Sequence, residues 1–184
     1  MKTRTFIIVA FIAAFFASCK NENKTEGAEG PQVEESSKFS VVVDVISEKK
    51  EDFALYFTED GTSSFTEKGV VWSGTKEGEA GSQKVEFLLP EEIIPTHIRL
   101  DFGMKKGAEQ GDVTLRNVKV SYAGKSFEFK GSDFFKYFIE NKDVKTEINA
   151  ADGTIKFLKN PTGTQTPFYY PTQVVVDEIA KITK

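Results

Sequence analysis

The sequence predicts an all-β domain: an antiparallel β-sandwich of the jelly-roll type with one or two short peripheral helices, preceded by a signal peptide and a flexible tether. Three observations predict it. After residue 37 apolar residues recur with a period of two, each run has a single apolar face, and turns rich in Gly and Asp separate the runs. One sheet of such strands would leave its apolar face wet, so two sheets pack face to face.

The strands follow in chain order. Phe39, Val41, Val43 and Val45 mark the first, Phe53, Leu55 and Phe57 the second, and Val85, Phe87 and Leu89 a third. Over residues 96–102 the alternation is strict, with Ile98, Leu100 and Phe102 on one face and His97, Arg99 and Asp101 on the other. Residues 112–122 carry Val113 and Leu115 on odd positions but Val118, Val120 and Tyr122 on even ones. That change of parity predicts a β-bulge at Arg116 and Asn117. Phe127 with Phe129, and Ile155 with Phe157, add two short strands, and Ala123-Gly124 and Asp152-Gly153 read as turns. Ser132 stands where it would cap a helical turn carrying Phe134, Phe135 and Phe138. Thr172 would cap a last helix with Val175, Val176, Ile179 and Ile182 at helical spacing. The β-branched residues of that segment suit a strand as well. No repeat or second boundary appears, so residues 38–184 form one domain.

Before it, Lys2 and Arg4 precede an apolar run over residues 6–16, and Ala17-Ser18-Cys19 follows. A charged start, a short apolar run and small residues at a cut point describe a secretory signal over residues 1–18, too short for a stable membrane span. Phe16-Ala17-Ser18-Cys19 resembles the lipobox of bacterial lipoproteins, with Phe16 where Leu is usual. The resemblance implies cleavage before Cys19, diacylation of its thiol, and an amino terminus that can also be acylated. Each buried methylene contributes about 0.8 kcal/mol, so two or three chains anchor permanently. Residues 19–37 hold this Cys and KNENKTEGAEGPQVEESS, which has no aromatic residue and one large aliphatic, Val33. Such a segment cannot bury enough apolar surface to offset its ordering entropy and reads as a flexible tether. Lys20 replaces the aspartate that marks inner-membrane retention in some Gram-negative bacteria, so the expectation is the outer membrane. Glu22, Glu26 and Glu29 are similar to tether signals that route some lipoproteins outward, but any solvated linker looks alike. Cell surface and periplasmic face both stay open.

Composition narrows the chemistry. The net charge of −4 over 184 residues becomes −6 once Lys2 and Arg4 leave with the signal. Without clustered Lys and Arg, a nucleic-acid partner is not expected. A single Cys excludes an internal disulfide and a Cys-based zinc site, and a Ser–His–acid triad would rest on His97 inside a strand. Glu91 with Glu92, or Glu59 with Asp60, are adjacent acids, but sequence cannot place two carboxyls the ~5–9.5 Å apart that glycoside hydrolysis requires. Gly103, Gly107 and Gly111 lack the Lys-Ser/Thr ending of a phosphate loop. No enzyme and no cofactor are expected. Jelly rolls often hold a structural calcium, for which Asp60, Asp101 and Asp112 are candidates, though no EF-hand spacing supports one.

IRLDFG (residues 98–103) followed by VTLRNVKVSY (residues 113–122) resembles the adjacent late strands of jelly-roll domains of the carbohydrate-binding-module and galactose-binding-like type. With GKSFEFKGSDFFKYF and PFYYPT, the likeness extends to envelope lipoproteins and membrane proteins of surface-glycan assembly, over roughly residues 52–176. It implies a sandwich and a carbohydrate ligand, and names no binding residue. Parity alone puts His97, Arg99 and Asp101 on one face, where Arg116 or Lys119 of a neighbouring strand could join them. Trp72, Tyr56, Tyr169 and Tyr170 are aromatics with a polar handle. Charged groups beside exposed rings suit a sugar, whose hydroxyls take hydrogen bonds while its C–H face packs on a ring. A solvated strand face carrying the same residues needs no ligand. The expectation is therefore a lipid-anchored, non-catalytic envelope protein that binds carbohydrate or assists surface-glycan handling through Tyr56, Trp72, Arg99, Asp101, Tyr169 and Tyr170. A module docking a partner protein in an envelope complex is the alternative, and a glycoside-active enzyme comes third.

Overall fold

The computed structural model describes residues 37–78, 81–103, 111–142, 144, 146–157 and 166–184. The expected signal peptide, Cys19, most of the expected tether and Gly107 lie outside the described residues. The rest is a two-sheet antiparallel β-sandwich with short helices, as the periodicity predicts. In the first sheet the order is β4 (Gln83–Leu88), β1 (Ser40–Ser47) and β6 (Val113–Tyr122); the far side of β6 is shared by β7 (Lys125–Lys130) and β10 (Thr154–Phe157), and β9 (Thr146–Asn149) lies beyond β10. The second sheet runs β3 (Val70–Gly74), β2 (Asp52–Thr58), β5 (His97–Phe102), β11 (Phe168–Pro171) and β8 (Phe138–Glu140). From β1 to β6 only β2 and β3 form a hairpin. Every other step changes sheets, which is the winding of a jelly roll.

The inward faces are the predicted ones. Phe39 just before β1 and Val41, Val43 and Val45 within it, Phe53 and Leu55 of β2, Val85, Phe87 and Leu89 at β4, and Ile98, Leu100 and Phe102 of β5 are all buried. The bulge is present. Asp44 faces Asn117 and Val45 faces Leu115, so Arg116 is left without a partner across the ladder and points to solvent. Below it β6 pairs with β10, Val113 opposite Ile155; above it β6 pairs with β7, from Asn117 opposite Lys130 to Tyr122 opposite Lys125. Between the sheets Phe134 is an aromatic hub, stacked 4.8 Å from Phe138 and edge-on to Phe102 at 5.6 Å and Tyr169 at 5.2 Å.

Several expectations need correction. IRLDFG and VTLRNVKVSY are not adjacent, because β5 and β6 belong to opposite sheets. Arg116 and Lys119 therefore sit on the outer side of the first sheet and cannot join Arg99 and Asp101. Phe138 opens β8 instead of closing a helix, since its stacking on Phe134 and pairing with Pro171 outweigh local helical preference. The helix there, α1 (Phe134–Tyr137), is a single turn. Asp133 holds its N-cap position without a side-chain cap, and Ser132 lies inside the preceding 3-10 turn. In α2 (Gln173–Ile182) three consecutive Val are helical because Val175, Ile179 and Ile182 form a buried stripe against the sheets. Thr172 is at its N-cap as expected, yet its hydroxyl reaches the Lys136 carbonyl at 3.5 Å instead of capping the helix. Strands β3, β8, β9 and β11 have no counterpart in the sequence-based assignment.

All described pairings and core residues fall within Glu34–Lys184, a compact unit with its own core that therefore folds without the preceding residues. Among the described glycines, the one with least room for a side chain is at the bulge. A Cβ on Gly131 would overlap the Leu115 carbonyl oxygen, and one on Gly153 would stand 2.6 Å from the same atom. Gly131→Ala must push backbone apart in the middle of the first sheet. Overpacking of this kind costs about 3 kcal/mol, which urea denaturation of Glu34–Lys184 should show as a lower midpoint with the slope unchanged.

Candidate aromatic face with a caged arginine

The outer faces of the two sheets differ in chemistry. On the first, Asp44 opposes Lys84, Lys119 opposes Glu128, and Val42 lies between Glu86 and Lys119, so charges of both signs cover a solvated surface. On the second, the row of cross-strand partners is Trp72, Ala54, Asp101 and Phe168, and the next is Val70, Tyr56 and Arg99. Tyr170 and its partner Ile139 share the parity of Phe168 and extend this face over β11 and β8.

Arg99 and Asp101 are two residues apart on β5 and so point to the same side. The Arg99 Nε and Nη2 groups donate to Asp101 Oδ1 and Oδ2, both at 2.8 Å. Such a two-pronged match fixes the planar guanidinium in place. Its carbon lies 4.1 Å from the Tyr56 ring centre, 4.5 Å from that of Phe168 and 5.5 Å from that of Phe65. Phe65 comes from the connection between β2 and β3 and leans on Tyr170 at 5.9 Å. From the same connection Glu67 accepts the Tyr56 hydroxyl at 3.0 Å. The ion pair keeps only 15% of the Arg99 side chain and 5% of the Asp101 side chain in contact with solvent.

Burial raises the Asp101 carboxyl above its ordinary value, against the opposing pull of the Arg99 hydrogen bonds and charge. For Arg99, burial works to lower the pKa, but the hydrogen bonds and charge of Asp101 outweigh it and the guanidinium is held more firmly cationic. Burial, then the hydrogen bond and charge of Glu67, push the Tyr56 hydroxyl up from 10.0 to about 12.

Of the residues expected to bind ligand, Tyr56, Trp72, Arg99, Asp101 and Tyr170 share this face. Tyr169 does not. It is fully buried in the core against Phe102 and Phe134, and burial raises its hydroxyl pKa. Neighbours on a strand point to opposite sides, so Tyr169 and Tyr170 could never both face one ligand, and Phe168 is the true companion of Tyr170. That parity argument was open to the sequence. Phe65 and Glu67 carried no such signal, because their placement depends on how an irregular connection folds back. Trp72 retains 48% exposure, whereas Tyr56 is buried under Arg99 and the β2–β3 connection.

The calcium candidates are scattered. Asp60 accepts the Thr62 N–H and hydroxyl in an exposed turn, and Asp101 is committed to Arg99. Asp112 borders a cleft of about 420 Å3 with Glu48, Thr114 and Thr154. Among the described residues no three His, Cys, Asp or Glu side chains gather as metal ligands. His97 sits at the rim of an apolar groove beside α2, with Nδ1 3.2 Å from the Thr96 hydroxyl. Set against protein-family models, curated proteins and solved structures, the chain matches none of them. The face is, by its own chemistry, a mostly apolar strip whose cation is neutralised internally and whose most accessible ring is Trp72.

Two consequences are measurable. Arg99→Ala leaves Asp101 buried without its counter-ion and exposes Tyr56 and Phe168, which should cost about 3 kcal/mol in urea; Arg99→Lys, which keeps the charge but loses the fork, should recover only part of it. At high pH the folded state holds the Tyr56 proton in a range where the unfolded chain has released it. Stability therefore falls as pH rises from 10.0 toward about 12. Alkaline unfolding followed by phenolate absorbance should show this loss, and Tyr56→Phe should reduce it.

Proposed function

We propose that this chain is a lipid-anchored, non-catalytic protein of the bacterial outer membrane, held through Cys19, whose second sheet binds carbohydrate on its outer face. The observation that carries the reading is Trp72, half-exposed on a face whose other rings are partly or fully buried, and in cross-strand register with Ala54 and Asp101. A flat ring presented beside polar groups is what the C–H face of a pyranose packs against. The caged Arg99 supports the reading as scaffold and not as a ligand: with Asp101 it fixes Tyr56 and Phe168, so the strip needs little ordering when it binds. Binding then falls to Trp72 and Tyr170.

The same face gives grounds for the second reading, a docking surface for an envelope protein. Ile139, at the opposite edge from Trp72, is 53% exposed. An apolar side chain there offers a protein more than it offers a sugar.

Glycan arrays and affinity gels of host and bacterial polysaccharides, probed with Glu34–Lys184, test the proposal. Retention on at least one polysaccharide is expected, accompanied by a change in the fluorescence of Trp72, the chain's sole Trp. Trp72→Ala should weaken it tenfold or more and leave the melting temperature unchanged. In the full chain, Cys19→Ala should release the protein from membranes. No retention anywhere, together with recovery of a stoichiometric protein partner lost on Ile139→Asp, would move the assignment to the second reading.

A further inference from the structure

Edge strands present unpaired backbone groups, and proteins guard them with charge, proline or brevity. Four of the described edges here are guarded. β4 carries Lys84 and Glu86, β7 carries Lys125, Glu128 and Lys130, β9 carries Glu147, and β8 is three residues long and ends in Glu140. β3, with sequence VVWSG, has no charge, no proline and no bulge.

Which of its groups are open follows from the ladder. Phe57 N–H donates to the Gly69 carbonyl and Thr75 N–H to the Glu51 carbonyl, so residues 69 and 75 turn their backbone toward β2. In an antiparallel pair that orientation alternates. Val71 and Ser73 therefore bond β2, while the N–H and C=O groups of Val70, Trp72 and Gly74 point away from it, and no described group meets them.

We propose that the β3 edge is a self-association site, at which a second copy of this chain adds its own β3 antiparallel about a two-fold axis through Trp72. The register is set by symmetry: Trp72 opposes Trp72 of the second copy, and Val70 opposes Gly74. All three outward-facing residues of each strand then become hydrogen-bonded pairs, which closes six N–H···O bonds and leaves no open group in the segment. An uncharged strand meets its own image without like-charge repulsion, and an aromatic pair directly across a ladder is a favourable one. Beyond the strand the same register sets Lys68 opposite Lys76 of the second copy, which confines the pairing to these five residues. The interface is small, and its affinity belongs with weak, transient associations. It rests on the backbone of β3 and stands whether or not Trp72 contacts sugar.

Cys19 is the chain's only Cys, so Glu34–Lys184 has no thiol and an introduced one reports alone. Sedimentation of this fragment from about 10 μM to 1 mM should show monomer passing into dimer, and Val70→Lys should hold it as monomer at the top of that range with an unchanged circular dichroism spectrum. Trp72→Cys should form a disulfide-linked dimer under mild oxidation at least tenfold faster than Glu86→Cys on the guarded β4 edge. A fragment that stays monomeric to 1 mM, or equal crosslinking rates at the two positions, overturns the proposal.

Discussion

The architecture turns on one irregularity, the extra residue at Arg116. β6 is the longest strand, and its far side must serve two partners, β10 below and β7 above. The changeover occurs where the bulge breaks the ladder. There the Leu115 N–H donates to the Gly153 carbonyl, while Gly131 and Gly153 press against the Leu115 carbonyl more closely than any Cβ would allow. Without the bulge, Val118 and Val120 would leave the core face that Val113 and Leu115 occupy, since a shift of one residue turns every later side chain over. The core of the first sheet, the exit of the chain at Gly131 into the Phe134 cluster, and through it the seating of Tyr169 and β11, all follow from that position.

This chain of dependence reaches the outer face of the second sheet by a short route. Phe134 packs on Phe102 and Tyr169 from within the sandwich, and those residues adjoin Asp101 and Phe168 on the other side of the same strands. Inner packing thus sets the height and register of the rings that hold the Arg99 guanidinium. The ion pair that results is nearly dry, and burying it opposes its own Coulomb attraction. Its stacking on Tyr56 and Phe168 offsets part of that cost, and the gain is a face whose side chains have one arrangement.

Much of this was legible in the residues. Alternation in β1, β2, β4, β5 and β6 exposes their inward faces, and even the bulge announces itself in the odd-to-even change between Leu115 and Val118. Strict parity likewise separates Arg99 and Asp101 from the core. What could not be read depends on partners distant in sequence. VVWSG has too little alternation to declare a strand and becomes β3 only by pairing with β2; FFKYF looks helical until Phe138 finds Pro171. The sheet to which each strand belongs is invisible to periodicity, which is why β5 and β6 seemed neighbours and Arg116 seemed within reach of Arg99. Phe65 and Glu67 complete the cage from an irregular connection, where no local rule applies.

An open strand edge ordinarily threatens runaway growth, because each added strand exposes a new edge like the one it covered. Here the arithmetic of edges ends the process. Among the described strands, two copies joined at β3 have spent their unguarded margins, and what is left is the charged strands β4, β7 and β9 and the short β8. The assembly is closed at two, and the feature that looks like a defect in one molecule becomes a stop signal in the pair.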